Sequence, residues 1–193
     1  MRCRVAFVPA APVLLPEYAG IDDPVPALRA ACVEAVTWLA KDSDGVVSVV
    51  AAASDPANVR RGVDVPVGRR VAEHLLAGAG FEGDVEPSDG SALTGSVLVM
   101  CSGSARRGEK APGHLDERSF TFDEAALRAL GGGEPAALAG LDEVLAAELL
   151  ADGAPGLGVV ARSVAGADVV ASTLYADDPF GVQYWVVTWE CAS

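Results

Sequence analysis

Lysine is almost missing from this 193-residue chain: Lys41 and Lys110 stand alone against twelve arginines, and the formal net charge is −13. A balance of that sign excludes a general nucleic-acid-binding or anionic-membrane surface, because neutralising phosphate takes Lys and Arg in surplus. Long hydrophobic runs are lacking as well. No stretch approaches the roughly 18 uninterrupted apolar residues of a membrane span. The opening "MRCRVAFVPAAPVLLPEY" has the charge and apolar character of a signal peptide, but Pro9, Pro12 and Pro16 interrupt it and no clean cleavage site follows. The expectation is a cytoplasmic protein. Cysteine is sparse and scattered at Cys3, Cys32, Cys101 and Cys191, with no CxxC pair. All four lie in or beside apolar segments and read as reduced core residues rather than zinc ligands. Two motifs of common enzymes are also missing. "SGSARRGEK" lacks the spacing of a phosphate-binding P-loop, and "CSGSA" is no nucleophile elbow of the G-x-S-x-G kind.

What the chain does have is a 51% apolar composition rich in Ala, Val, Leu and Gly, which suits a folded α/β protein. The Arg-over-Lys bias, with so much Ala and Gly, suggests a GC-rich bacterial gene. Buried strands are expected at 3–8, 45–53 and 96–101, and closing strands at 167–176 and 181–190 with a hairpin-like "DDPFG" between them. Apolar spacing predicts helices over 24–41, 67–79, 121–131 and 135–151, and a short one near 155–165. Leu138, Leu141, Leu145 and Leu149 form the inner stripe of the fourth helix. Residues 80–90 read as a Gly-rich break. Strands alternating with helices imply crossover units. The fold class expected is a three-layer α/β single domain over residues 1–193, with a mixed, largely parallel sheet flanked by helices.

In an open α/β sheet, ligands bind beyond the carboxyl ends of the strands. Loops 9–20, 53–66 and 101–120 meet that description, and the third carries the charge: "CSGSARRGEKAPGHLDERSFTFDE" runs from Cys101 to Glu124. Arg106, Arg107 and Arg118 offer forked guanidinium donors to a small anionic ligand, a carboxylate or a phosphate. Alternatively they pair with Glu109, Asp116, Glu117 or Asp123 and brace the loop. His114, with Asp116 two residues on, is the candidate general base, although a lone loop histidine more often only packs. Cys101 and Ser102 sit at a strand end, where a nucleophile can stand. Ser102 and Ser104 also suit loop backbone bonding. His74 reads as a helix-surface residue, and Asp177 and Asp178 as a solvated turn.

Four stretches together resemble the class III extradiol dioxygenase subunit-B-like family, in a short bacterial branch: "VAFVPAAPVLLPEYAG" (5–20), "GSARRGEKAPGHLDERSFTFD" (103–123), "EPAALAGLDEVLAAELLADG" (134–153) and "LYADDPFGVQYWVVTW" (174–189). Active members of that family hold Fe(II) on two histidines and a glutamate, with positions left open for a catechol and oxygen. The resemblance implies one histidine after the first strand and another after the second. Here "VPAAP" puts Ala10 at the first position, and "AAASDP" (51–56) covers the second. The implied protein is therefore a non-catalytic, metal-less relative that binds a small anion or acts in regulation. Ser104, Arg106, Arg107, Asp116 and Arg118 would line its polar pocket, with Ser54 and Asp55 nearby. An enzyme acting on a phenolic or carboxylated molecule, with His114 or Asp116 as its base, and including residual metal-dependent dioxygenase activity on a hard metal held by carboxylates, is the second expectation. A structural, homo-oligomer-forming protein is the third.

Overall fold

The apolar runs become the inner strands of one six-stranded sheet in a computed structural model that describes residues 2–18, 20, 22–53, 60 and 65–192. The strands are β1 (Arg2–Val8), β2 (Val46–Val50), β3 (Asp84–Pro87), β4 (Gly95–Met100), β5 (Asp168–Asp177) and β6 (Tyr184–Ala192). Their order across the sheet is β3-β2-β4-β1-β6-β5. β1, β2, β3 and β4 run parallel, and β6 is antiparallel to both its neighbours, β1 and β5.

Helices cover both faces. On one lie α1 (Pro26–Lys41) and α2 (Val67–Gly78), which bury Leu28, Cys32, Leu39, Val71 and Leu75 against Ala6, Val8, Leu98 and Met100 of the sheet. On the other lie α3 (Arg118–Gly131), α4 (Pro135–Ala139) and α6 (Ala154–Ser163), packed on Val5, Phe7, Val97 and Val99. Between them, α5 (Glu143–Glu148) closes a small satellite core with Phe122 and Leu149. Because β-strand side chains alternate, each central strand feeds two cores at once. β6 does so by plain alternation: Trp185, Val187 and Trp189 enter the second core, while Tyr184 and Val186 enter the first. Trp189 is the keystone of its side. Its indole N–H donates to the Leu130 carbonyl at 2.6 Å, and its ring meets Phe7 edge-on at 4.9 Å between centroids.

Two local features differ from the sequence reading. The helix expected over 135–151 is broken, because Asp142 leaves helical geometry and caps α5. Its Oδ1 accepts the backbone N–H of Val144 at 2.9 Å and of Leu145 at 3.0 Å, satisfying donors that the helix start would otherwise orphan. Leu138 and Leu149 are buried as the stripe requires, but Leu141 and Leu145 are only half-buried. The Gly-rich break contains β3, an edge strand paired with β2 alone. Among the described residues, no helix is long and apolar enough to cross a membrane.

Candidate functional site

β4 delivers the chain to the middle of the sheet, and the loop that follows is stitched down at almost every residue. Ser102 N–H donates to Asp152 O, Gly103 N–H to Gln183 O, Gln183 N–H back to Ser104 O, Ala105 N–H to Leu149 O and Arg107 N–H to Gly181 O, all between 2.8 and 3.0 Å. Gly103 is required at this crossing. A Cβ there would stand 2.7 Å from both Asp123 Oδ1 and Gln183 Cβ.

Asp123, on α3, organises the inner half of the loop. It is 1% exposed and accepts the Ser104 N–H at 2.8 Å, the Ser104 hydroxyl at 2.5 Å and Arg107 Nη1 at 3.2 Å. Burial pushes the Asp123 carboxyl above its ordinary range, against the pull of the Ser104 bonds and of Arg107. Ser104 is fully buried, with its hydroxyl committed to Asp123. Arg107 spans two carboxylates, reaching Asp178 through Nε at 2.7 Å as well, and its guanidinium lies 4.5 Å from the centroid of the Phe120 ring. Burial opposes its charge, but the bonds to Asp178 and Asp123 outweigh that and raise its pKa. Asp178, read as part of a solvated turn, is thus half of an ion pair joining the β5–β6 connection to the loop.

The outer half is tied in the same way. Arg118 grips Asp116 through Nε and Nη2, the latter at 2.7 Å, and reaches Glu148 of α5 through Nη1 at 2.8 Å. Hydrogen bonding by Arg118 holds the Asp116 carboxyl down at about 2, and the same contacts raise Arg118. An Arg118→Gln variant should therefore return Asp116 towards 3.8, measured by carboxyl-carbon NMR titration. The sign follows from the depressed folded value. Asp116 contributes stability above pH 3.8 that fades as pH falls towards 2, and that acid-side loss should be absent from the variant.

Arg106 is different. Its carbonyl accepts the Asp116 N–H and the Ser119 hydroxyl, and its stem runs so close to Gly113 that a Cβ there would stand 2.7 Å from Arg106 Cγ. Its Nε is buried with no hydrogen-bond partner. Among the described residues, it is the one arginine of this loop that makes no ion pair. His114 is exposed, at φ 57°, and its Nδ1 lies 3.2 Å from the Glu109 carbonyl rather than against Asp116. His74 is exposed on α2. Cys101 is fully buried, accepts a bond from the Trp185 indole at 3.4 Å, and has its thiol pushed up by burial to about 12. That removes the thiolate a nucleophile needs. Ser54 and Asp55 lie outside the described residues.

The ends of β1, β2 and β4 meet where the resemblance implies iron. Ala10 and Ala51 face α2 there, and Gly68 in its first turn is packed between them. A Cβ on Gly68 would stand 3.2 Å from Met100 Cβ, 3.3 Å from Ala51 Cβ and 3.4 Å from Ala10 Cβ. Among the described residues this is an apolar seam that offers no nitrogen or carboxylate donor, so those residues do not fit Fe(II). Among the described residues, no group of three or more His, Cys, Asp or Glu converges as a metal site would require. Beside the seam, a cleft of about 350 Å³ opens over Ala52, Met100, Ser88, Asp89, Gly153 and Pro155.

No protein-family model matches this chain, and no curated protein matches it in sequence.

Proposed function

We propose that this protein is a metal-less, dioxygenase-like cytoplasmic domain that binds a small anion, a carboxylate or a phosphate, and that Arg106 is the residue that takes it. The observation that carries this reading is the contrast among the three loop arginines. Arg107 and Arg118 each hold two carboxylates, so an incoming anion would have to displace a partner already in place. Among the described residues Arg106 makes no ion pair, though its charge helps hold the Asp116 carboxyl down from a distance, and its buried Nε lacks an acceptor. Leaving such a donor unsatisfied is costly, and a bound anion removes the cost. Ser104, Arg107, Asp116 and Arg118 then act as the frame that fixes the loop around Arg106 rather than as ligand contacts.

The enzyme reading has less behind it. A carboxylate held at about 2 by its arginine is a weak base at neutral pH, and the His114 ring meets the Glu109 backbone carbonyl, with no carboxylate on it among the described residues. The test is thermal denaturation across a panel of carboxylates and phosphates. An anion that raises the melting temperature of the unsubstituted protein should bind Arg106→Gln about tenfold or more weakly, with far-UV circular dichroism unchanged. An equal thermal shift in Arg106→Gln would defeat the assignment and leave the loop with a bracing role only.

A further inference from the structure

Cys3 lies near the start of β1 and Cys191 near the end of β6, and the antiparallel register sets the two directly opposite each other. Both side chains turn to the same face of the sheet, into the core that holds Trp189 and Val187. Residues opposed in an antiparallel pair have Cα atoms about 4.5 or 5.5 Å apart, depending on whether the pair exchanges hydrogen bonds. Either separation falls within the roughly 4.4–6.8 Å over which a disulfide closes. Strand pairing alone therefore brings these two thiols into bonding range.

Their chemistry is also unlike that of the other two cysteines. Cys32 and Cys101 are buried, and burial pushes each thiol up to about 12. The Cys3 thiol moves the other way, drawn down by its contact with the Cys191 thiol, while that contact and burial push Cys191 up. At 4% exposure Cys3 is also the least buried of the four, against 1% for Cys191, and it sits near the end of the sheet, where strands open most readily.

We propose that Cys3 and Cys191 form a redox clasp, which a small disulfide such as oxidised glutathione closes. The Cys3 thiolate attacks one glutathione sulfur, the glutathione S–S bond breaks, and one glutathione thiolate leaves and takes up a proton. Cys191 then gives its proton to solvent and attacks Cys3 Sγ, which expels the second glutathione. Two protein thiols are oxidised to one disulfide while one glutathione disulfide is reduced to two thiols. The product joins the first strand to the last. A cytosolic reducing pool would reopen it, so the clasp reports a change in redox poise.

The experiment treats the unsubstituted full chain with oxidised glutathione, denatures it, alkylates the free thiols and maps the peptides. Two of the four thiols should be lost, a Cys3–Cys191 linked peptide should appear, and the melting temperature should rise until a reductant is added. Cys191→Ser should trap glutathione on Cys3, and Cys3→Ser should leave Cys191 unmodified. Four free thiols after treatment, a link through Cys32 or Cys101, or a lasting glutathione adduct on Cys3 in the unsubstituted protein would each overturn the clasp. Should either serine variant fail to fold, the thiol count on the unsubstituted chain decides. None of these outcomes depends on an anion at Arg106.

Discussion

An Asp123→Ala protein should unfold about 3–5 kcal/mol more readily than the unsubstituted one, read from the midpoint of a urea transition at unchanged slope. The change deletes one side chain and strands three partners. The Ser104 N–H, the Ser104 hydroxyl and Arg107 Nη1 all point at Asp123. Ser104 is fully buried and the Arg107 side chain is only 15% exposed, so water cannot readily replace the lost acceptor. Burial costs the Asp123 carboxylate more than its bonds to Ser104 and Arg107 return, as its raised pKa records. Its value lies in what its removal would leave uncompensated. Asp123→Asn keeps an acceptor for the Ser104 N–H and should lose clearly less. It should also differ in pH dependence. The folded protein holds the Asp123 proton more tightly than the unfolded chain, so this group's share of stability is full below pH 3.8 and declines as pH rises through the folded value. Asp123→Asn should lack that decline.

Gly153→Ala should be comparably damaging, at about 2–6 kcal/mol on the same measurement. Gly153 sits at φ 78°, where an L side chain is strained by about 1–3 kcal/mol. Its position is worse than its angle. A Cβ would stand 2.5 Å from the Met100 carbonyl oxygen and 2.9 Å from Cys101 Cβ, so the start of α6 must move away from the end of β4, at about 1–3 kcal/mol more. Gly166→Ala is the control. Its φ is 84°, but a Cβ there meets nothing within 4 Å, so it should lose only the conformational part. Equal losses at the two positions would show that backbone angle, not the close approach of α6 to β4, governs Gly153.

Much of the architecture could be read from residue order. β1, β2 and β4 are short apolar runs with both faces buried, and α1 and α2 carry clear helical spacing, so local pattern and global fold agree. β3 hid because its "DVEP" has no apolar run: it is an edge strand defined by a partner, β2, whose pairing sequence does not encode locally. The break between α4 and α5 hid because Leu138, Leu141, Leu145 and Leu149 keep helical spacing across it, while the cap at Asp142 is a single residue's side-chain geometry. In the loop, the charges were visible, and so were two of their pairings, Arg107 with Asp123 and Arg118 with Asp116, which the bracing alternative named; the distant partners were not. Asp178 lies 71 residues from Arg107, and Glu148 lies 30 from Arg118. Only the return of the chain through α5 and the β5–β6 connection brings those carboxylates beside the arginines, and so separates Arg106, which makes no ion pair among the described residues, from two neighbours identical to it in kind.

The place of β1 in the sheet has a consequence for the order of assembly. It lies between β4 and β6, with Arg2 opposite Ala192. During synthesis, β1, β2, β3 and β4 can gather as soon as residue 100 has left the ribosome, but one side of β1 then stays open while about ninety more residues are made. Its exposed backbone, next to Val5 and Phe7, is a ready template for a strand from another chain. β6 arrives last, with β5 as its sequence-local partner, so its pairing with β1 is the long-range event that closes this sheet. The strand made first is the last to be completed.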